Sequence, residues 1–327
     1  MEKIIFEPRH KYLHKPDKKK VYDCIIVGTG VTGYASAMYG ARLGMKVLII
    51  GEIPGGTLGL TGTVENYPGF VSINGQKLVS LIENHAMDYD VDYLTGIVEK
   101  ITQDNKKKTF KVMAGSELYT GKTIIFATGA RVKKLNVPGE KEFFGRGVDY
   151  CALCDATHIK GKIAAIAGGG DSAVKEAILL TAYAKKVYII NNEKQIHPEM
   201  TNQKKVNELI KSGKIEVINN NEILEIKGDR NMDRVLLKQE FKGKRELFIE
   251  GLFIYIGHIP ESKLAQSIGV KLNSKKEIII NQHSETNISG FFAAGDVTNL
   301  EWKQAIIGVS QGVTAAYYAY NYLNQRK

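Results

Sequence analysis

A strand, a glycine-rich turn, a helix and a second strand occur twice in this chain, and no other feature restricts its fold as tightly. The first copy runs from Tyr22-Asp23-Cys24-Ile25-Ile26-Val27 through Gly28-Thr29-Gly30-Val31-Thr32-Gly33 into a small-residue helix over Tyr34 to Leu43, then a strand over Lys46 to Ile50. The second runs from a strand at Lys162 to Ala167 through Gly168-Gly169-Gly170-Asp171-Ser172-Ala173 into a helix over Ser172 to Tyr183 and a strand at Lys186 to Ile190. Continuous apolar runs of this length are strands buried on both faces of a parallel sheet. Two such units make two nucleotide-binding folds. The expected class is therefore α/β, two Rossmann-like three-layer nucleotide-binding domains.

The remaining strands set the connectivity. Thr123 to Gly129, Gly251 to Gly257 and Gly290 to Asp296 each read as a strand, the last running through a turn into a helix from about Lys303. If the first and last two return to one sheet, the second domain is inserted in the first. The expected boundaries are a flexible or surface-lying basic arm over 1–20, a discontinuous domain over 21–131 and 251–327, and an inserted domain over 132–250.

Each glycine of the turns has a reason. Gly28 permits a tight turn, Gly30 lets the backbone approach a pyrophosphate at the helix N-terminus, and Gly33 lets helix pack on strand. Glu52, just past the second strand, is placed for a ribose diol. A ligand-free βα turn is the competing reading. Gly168, Gly170 and Ala173 repeat the pattern as a second dinucleotide cradle, with a vestigial fold as the alternative. Asn191, Asn192, Glu193 and Lys194 follow its second strand, with no arginine for a 2′-phosphate and a carboxylate that would repel one. NADH is thus expected over NADPH.

Between the two cradles lies Cys151-Ala152-Leu153-Cys154-Asp155. This spacing suits a reversible disulfide or half of a metal site. Zinc needs four ligands, and neither a second Cys pair nor a clustered His pair is present, so no metal is expected. Asp155 beside a thiol pair is a candidate proton carrier. Cys24, the third cysteine, sits mid-strand as a core residue. The net charge of +10 is spread over scattered lysines without basic-aromatic interleaving, which argues against nucleic acid. No apolar run approaches the roughly 18 residues of a membrane span, and no secretory core opens the chain, so a cytoplasmic protein is expected.

With these motifs in order, the chain resembles the low-molecular-weight thioredoxin reductases over nearly its whole length after the arm. The resemblance rests further on Gly55-Gly56-Thr57-Leu58, Glu65-Asn66-Tyr67-Pro68-Gly69, Ala127-Thr128-Gly129, Ile256-Gly257-His258-Ile259-Pro260 and Ala293-Ala294-Gly295-Asp296. It implies FAD held by the first cradle, with Gly55, Gly56, Thr57 and Asn66 near the flavin, Asp296 on the ribityl chain, and Lys303, Gln304 and Ala305 at the ring. It implies a homodimer in which Cys154 is the sulfur nearer the flavin, Cys151 exchanges with thioredoxin or a similar small disulfide protein, and Asp155 moves the proton. It also implies an inserted domain that swivels, with hinges expected at Gly129 to Lys133 and around Glu246 to Gly251. Thr57 stands where the family has glutamine and Lys303 where it has arginine. The family's His-Arg-Arg and a further arginine become Asn191, Asn192, Glu193 and His197. The missing arginines keep open a dithiol oxidase or a ferredoxin-fed reductase on the same fold, and a non-catalytic flavin redox sensor stands as the alternative of another class.

Overall fold

In the computed structural model, residues 14–61, 63–152 and 156–325 are described. Along the chain come β1 (Val21–Val27), α1 (Val31–Arg42), β2 (Val47–Gly51), α2 (Gly75–Met87), β3 (Val91–Thr95), β4 (Val98–Asp104), β5 (Thr109–Ala114) and β6 (Glu117–Phe126). Then follow β7 (Val148–Asp149), β8 (Ile163–Ala167), α3 (Asp171–Leu180), β9 (Lys186–Ile190), α4 (Met200–Lys211) and β10 (Ile215–Ile218). Further on lie β11 (Ile223–Gly228), β12 (Met232–Phe241), β13 (Lys244–Phe248), β14 (Gly251–Ile254), β15 (Phe291–Ala293) and α5 (Ala305–Asn324). One compact unit runs to Arg131 and resumes at Ile259; Val132–His258 forms the other.

The first unit is built on a seven-stranded sheet of order β3-β2-β1-β6-β5-β4. β15 pairs in parallel with the end of β6, Phe291 opposite Ile124. The strands β1, β2, β3 and β6 are parallel, whereas β4, β5 and the start of β6 form an antiparallel meander. Because side chains alternate along a strand, β1 feeds two cores at once. Ile25 and Val27 join Phe110, Val112 and Phe291 on the meander side. Cys24 and Ile26 join Tyr34, Ala37 and Ala315 under α1 and α5. Helices, parallel sheet and meander are the three layers. α1 starts at Val31, directly after Gly30, three residues before the apolar period becomes visible at Tyr34.

The second unit repeats the plan. Its five-stranded parallel sheet has the order β7-β14-β8-β9-β10. One face packs α3 and α4 through Val174, Ala177, Leu180 and Val206. The other packs the antiparallel sheet β11-β12-β13 through Ile226, Val235, Leu237 and Leu247.

The structure corrects one expectation. β14 does not return to the first sheet but lies between β7 and β8, so the chain re-enters the first unit at Ile259 rather than Gly251. Glu246 to Gly251 is accordingly no crossing: Leu247 is in the second unit's core, and Gly251 packs against Ile159. A short run buried on both faces has no polar side to show which sheet it joins. At the other end, residues 1–13 of the expected arm lie outside the described residues. Residues 14–20 run along β3, where the His14 carbonyl accepts from the Tyr93 N–H at 2.9 Å and the Lys20 ammonium meets Asp92 at 3.0 Å. Among the described residues no helix is long and apolar enough to cross a membrane.

Candidate active site

The first glycine turn is tightly packed at Gly28 and Gly33 and open at Gly30. Gly28 has φ +116°, and a Cβ there would lie 2.2 Å from the Ala127 carbonyl oxygen. A Cβ on Gly33 would lie 1.9 Å from the Gly28 carbonyl oxygen, so helix and turn touch backbone to backbone. Gly30, by contrast, is the extended N-cap of α1, and a Cβ on it would meet nothing within 4 Å. The first turn of α1 carries no acidic residue, leaving its partly positive N–H end without an anion of its own. Gly55 and Gly56 lie alongside: the Gly55 N–H donates to the Thr29 carbonyl at 2.7 Å, and both have positive φ. Glu52 is exposed just beyond β2.

At the far end, Gly295 has φ +80° and sits over Thr32, whose Oγ1 would be 2.7 Å from a Cβ. Its N–H donates to Gln311 Oε1 on α5 at 2.6 Å, and its carbonyl accepts from Thr298 Oγ1 at 2.8 Å. Lys303 spends its ammonium on Glu277, on the Asp296 carbonyl at 2.9 Å and on the Thr298 carbonyl at 3.2 Å. It therefore braces the turn that carries half-buried Asp296. Burial pushes the Glu277 carboxyl up, but hydrogen bonds from Lys303 and Asn273 outweigh this and hold it below the usual carboxylate range. Gln304, the N-cap of α5, accepts from Asn66 Nδ2 at 2.9 Å, joining two of the expected flavin neighbours, and Ala305 opens the helix. Thr57 is exposed in a short 3-10 turn, and Gly129 has φ +66°. Sequence reasoning missed Thr32, Gln311 and Glu277, since nothing local connects them to Gly295.

The second cradle has the same backbone. Gly168 has φ +127°, with the Tyr255 carbonyl oxygen 2.1 Å from a hypothetical Cβ, while Gly170 opens onto empty space. Ala173 packs beneath Gly168. Asn191, only 2% exposed, organises the loop that follows: its amide donates to the Gln195 carbonyl at 2.8 Å and to Asn219 Oδ1 at 3.1 Å. Gly169 has to be glycine because the Asn191 side chain occupies the place of its Cβ. The loop forms a polar hollow lined by Asn192, Glu193, Lys194, Gln195, His197 and Asn220. Among these no arginine occurs, and Glu193 Oε2 lies 2.9 Å from His197 Nε2.

Cys151 lies two residues beyond β7, is partly buried and is disulfide-bonded. The next backbone N–H, of Ala152, donates to the Tyr255 hydroxyl at 3.0 Å. Tyr255 thus links the cysteine segment to the Gly168 turn, a second role that the sequence did not reveal. Cys154 and Asp155 lie outside the described residues. Cys24 is free and fully buried, and burial pushes its thiol up to about 12, an unreactive position.

The pattern of the family described as Pyridine nucleotide-disulphide oxidoreductase matches residues 22–312. The chain belongs to this family. Among relatives, the Bacillus subtilis (strain 168) thioredoxin reductase is 36% identical over 94% of this chain and 96% of that protein. The crystal structure of Lactococcus lactis thioredoxin reductase (FR conformation) superposes with a TM-score of 0.86 at 34% identity, covering 93% of this chain and 99% of that one. The crystal structure of T. acidophilum thioredoxin reductase gives a TM-score of 0.85 at 33% identity, covering 94% of this chain and 99% of that one.

Family membership makes this an FAD-dependent disulfide oxidoreductase of the low-molecular-weight thioredoxin reductase kind, using FAD and a pyridine nucleotide. The first cradle fits FAD: the empty space before Gly30 faces an uncompensated helix N-terminus, and Glu52 and the braced Asp296 turn supply polar groups beyond it. The brace yields a test. Lys303→Gln and Glu277→Gln are each expected to weaken FAD binding by about tenfold, and the double variant by no more than either single, because both act through one contact. Fluorescence titration of apoprotein with FAD measures this, and losses that add would refute the shared brace.

Proposed function

We propose that this enzyme, a cytoplasmic homodimer, takes electrons from NADH and delivers them through FAD to the Cys151–Cys154 pair and on to thioredoxin or a similar small disulfide protein. The observation that carries this reading is Cys151 itself, disulfide-bonded and held just beyond β7 within the unit that carries the second glycine turn. Bound FAD supplies a two-electron carrier. Cys154 is the sulfur that receives the electron pair; the bond to Cys151 breaks, and Cys151 leaves as a thiolate. The Cys151 thiolate then attacks one sulfur of the partner, forming a mixed disulfide while the partner's own S–S bond breaks. Asp155 delivers the proton that the departing sulfur takes up. Cys154 attacks Cys151, which restores the pair and releases the second partner thiol. The direct experiment supplies NADH and oxidised thioredoxin and counts thiols formed on thioredoxin; absence of new thiols would overturn the reading.

The donor follows from charge. A 2′-phosphate carries roughly two negative charges at neutral pH, and the hollow presents Glu193 to it. Lys194 is the cation lining that hollow, and the His197 imidazole beside it is already engaged by Glu193. NADH is therefore expected to reduce the flavin at least about tenfold more effectively than NADPH. Asn192→Arg with Glu193→Arg should shift the preference towards NADPH, read as the ratio of stopped-flow reduction rates. NADPH preference in the parent would refute the charge argument, and bleaching by neither nucleotide would transfer the donor role to a reduced protein such as a ferredoxin.

A further inference from the structure

One exposed aromatic ring near Cys151, that of Phe144, has no part in the chemistry above. Phe143 and Phe144 are consecutive, yet Phe143 is 3% exposed in the second unit's core while Phe144 is 59% exposed. The separation is built into the backbone. Between Phe143 and Val148 the chain doubles back, with the Val148 N–H donating to the Phe143 carbonyl at 3.1 Å and the Gly145 N–H to the Val148 carbonyl at 3.0 Å. Gly145 and Gly147 both have positive φ there, and a Cβ on Gly147 would run into Met232, 2.5 Å away. The turn cannot rotate Phe144 inward without breaking these contacts.

Phe144 leans on Tyr150, the residue before Cys151, with ring centroids 5.6 Å apart and planes tilted by 41°. Tyr150 is itself fixed: its hydroxyl donates to Glu140 Oε1 at 2.7 Å. Glu140 is 5% exposed and also accepts from the Leu135 N–H at 2.9 Å and the Asn136 N–H at 2.6 Å. Burial and the Glu140 carboxylate together push the Tyr150 phenol up, so the hydroxyl stays a donor at physiological pH. The result is a rigid aromatic step with one face on solvent. Single exposed apolar residues are ordinary, but a large ring resting on a second ring that a buried carboxylate holds in place is the preorganised kind that anchors interfaces.

From these observations we infer that Phe144, supported by Tyr150, is the anchoring contact for the protein disulfide that exchanges with Cys151. The inference rests on the proposed reading, in which a partner sulfur bonds to Cys151. A specific interface buries about 800 Å² on each partner, a patch roughly 16 Å in radius. The Tyr150 contact keeps the Phe144 ring no more than roughly 13 Å from the Cys151 Cα, within the radius of such a footprint centred on Cys151. The occupant is thus a small disulfide protein with an apolar surface beside its redox bond, of the thioredoxin kind.

The test compares oxidised thioredoxin with cystamine, a disulfide too small to reach Phe144 while bonded at Cys151. Phe144→Ala is expected to raise KM for thioredoxin about tenfold or more, with kcat and the rate on cystamine within about twofold of the parent. Phe144→Tyr, which keeps a ring on the step, should restore the parent KM. Parent-like KM in Phe144→Ala would overturn the inference, as would equal losses on thioredoxin and cystamine. Should the parent itself leave thioredoxin oxidised, the reading of function fails first, and that is visible before any variant is made.

Discussion

A Cys151→Ser variant is expected to lose thioredoxin reduction by at least about a thousandfold while keeping a flavin that nicotinamide can bleach. A serine hydroxyl cannot form the mixed disulfide with the partner, so the exchange step has no substitute route. Cys154→Ser should fail as completely, because the electron pair then has no disulfide to enter. Cys24→Ser is the internal control: Cys24 is buried in the first unit with its thiol pushed up to about 12, so replacing it should alter stability and leave exchange intact. Thiol release from thioredoxin, measured beside flavin absorbance in the same samples, separates the two halves of the reaction. Thioredoxin reduced at the parent rate by either active-site serine variant would disprove the proposed electron route.

The second large effect is expected at Gly30. Its φ of −73° and ψ of 174° suit any residue, and a Cβ there meets no protein atom, so Gly30→Leu should fold with a melting temperature close to the parent's. The leucine side chain would nevertheless fill the approach to the N-terminus of α1, where a pyrophosphate takes its N–H groups. Affinity for FAD should fall on the order of a hundredfold or more, and the protein should purify nearly colourless. Gly28→Ala makes a useful contrast. There the new Cβ would be forced against the Ala127 carbonyl at φ +116°, so stability itself should drop, by roughly 1–3 kcal/mol. Normal flavin content in a folded Gly30→Leu would show that the dinucleotide does not approach the turn as proposed.

What the sequence determined unaided was whatever depends on residues close together in the chain. Gly28, Gly30 and Gly33 announce a dinucleotide turn because a left-handed residue, an open N-cap and a helix packed on a turn are requirements met within six positions. The spacing of Cys151 and Cys154 is legible for the same reason, and so is the missing arginine at Asn192 and Glu193. Only the tertiary structure decided which distant groups complete each site. Lys303 and Glu277 are 26 residues apart, and their union depends on how the chain folds back before α5. Gln311 reaches Gly295, and Tyr255 reaches both Gly168 and Ala152, across separate elements. β14 could be read as a buried strand but not assigned to a sheet, since hydrophobic burial is non-directional and a run apolar on both faces names no neighbour. Phe143 and Phe144 state the same limit most simply: two identical side chains in succession, one sent into the core and one to solvent by a turn whose hydrogen bonds close only in the folded chain.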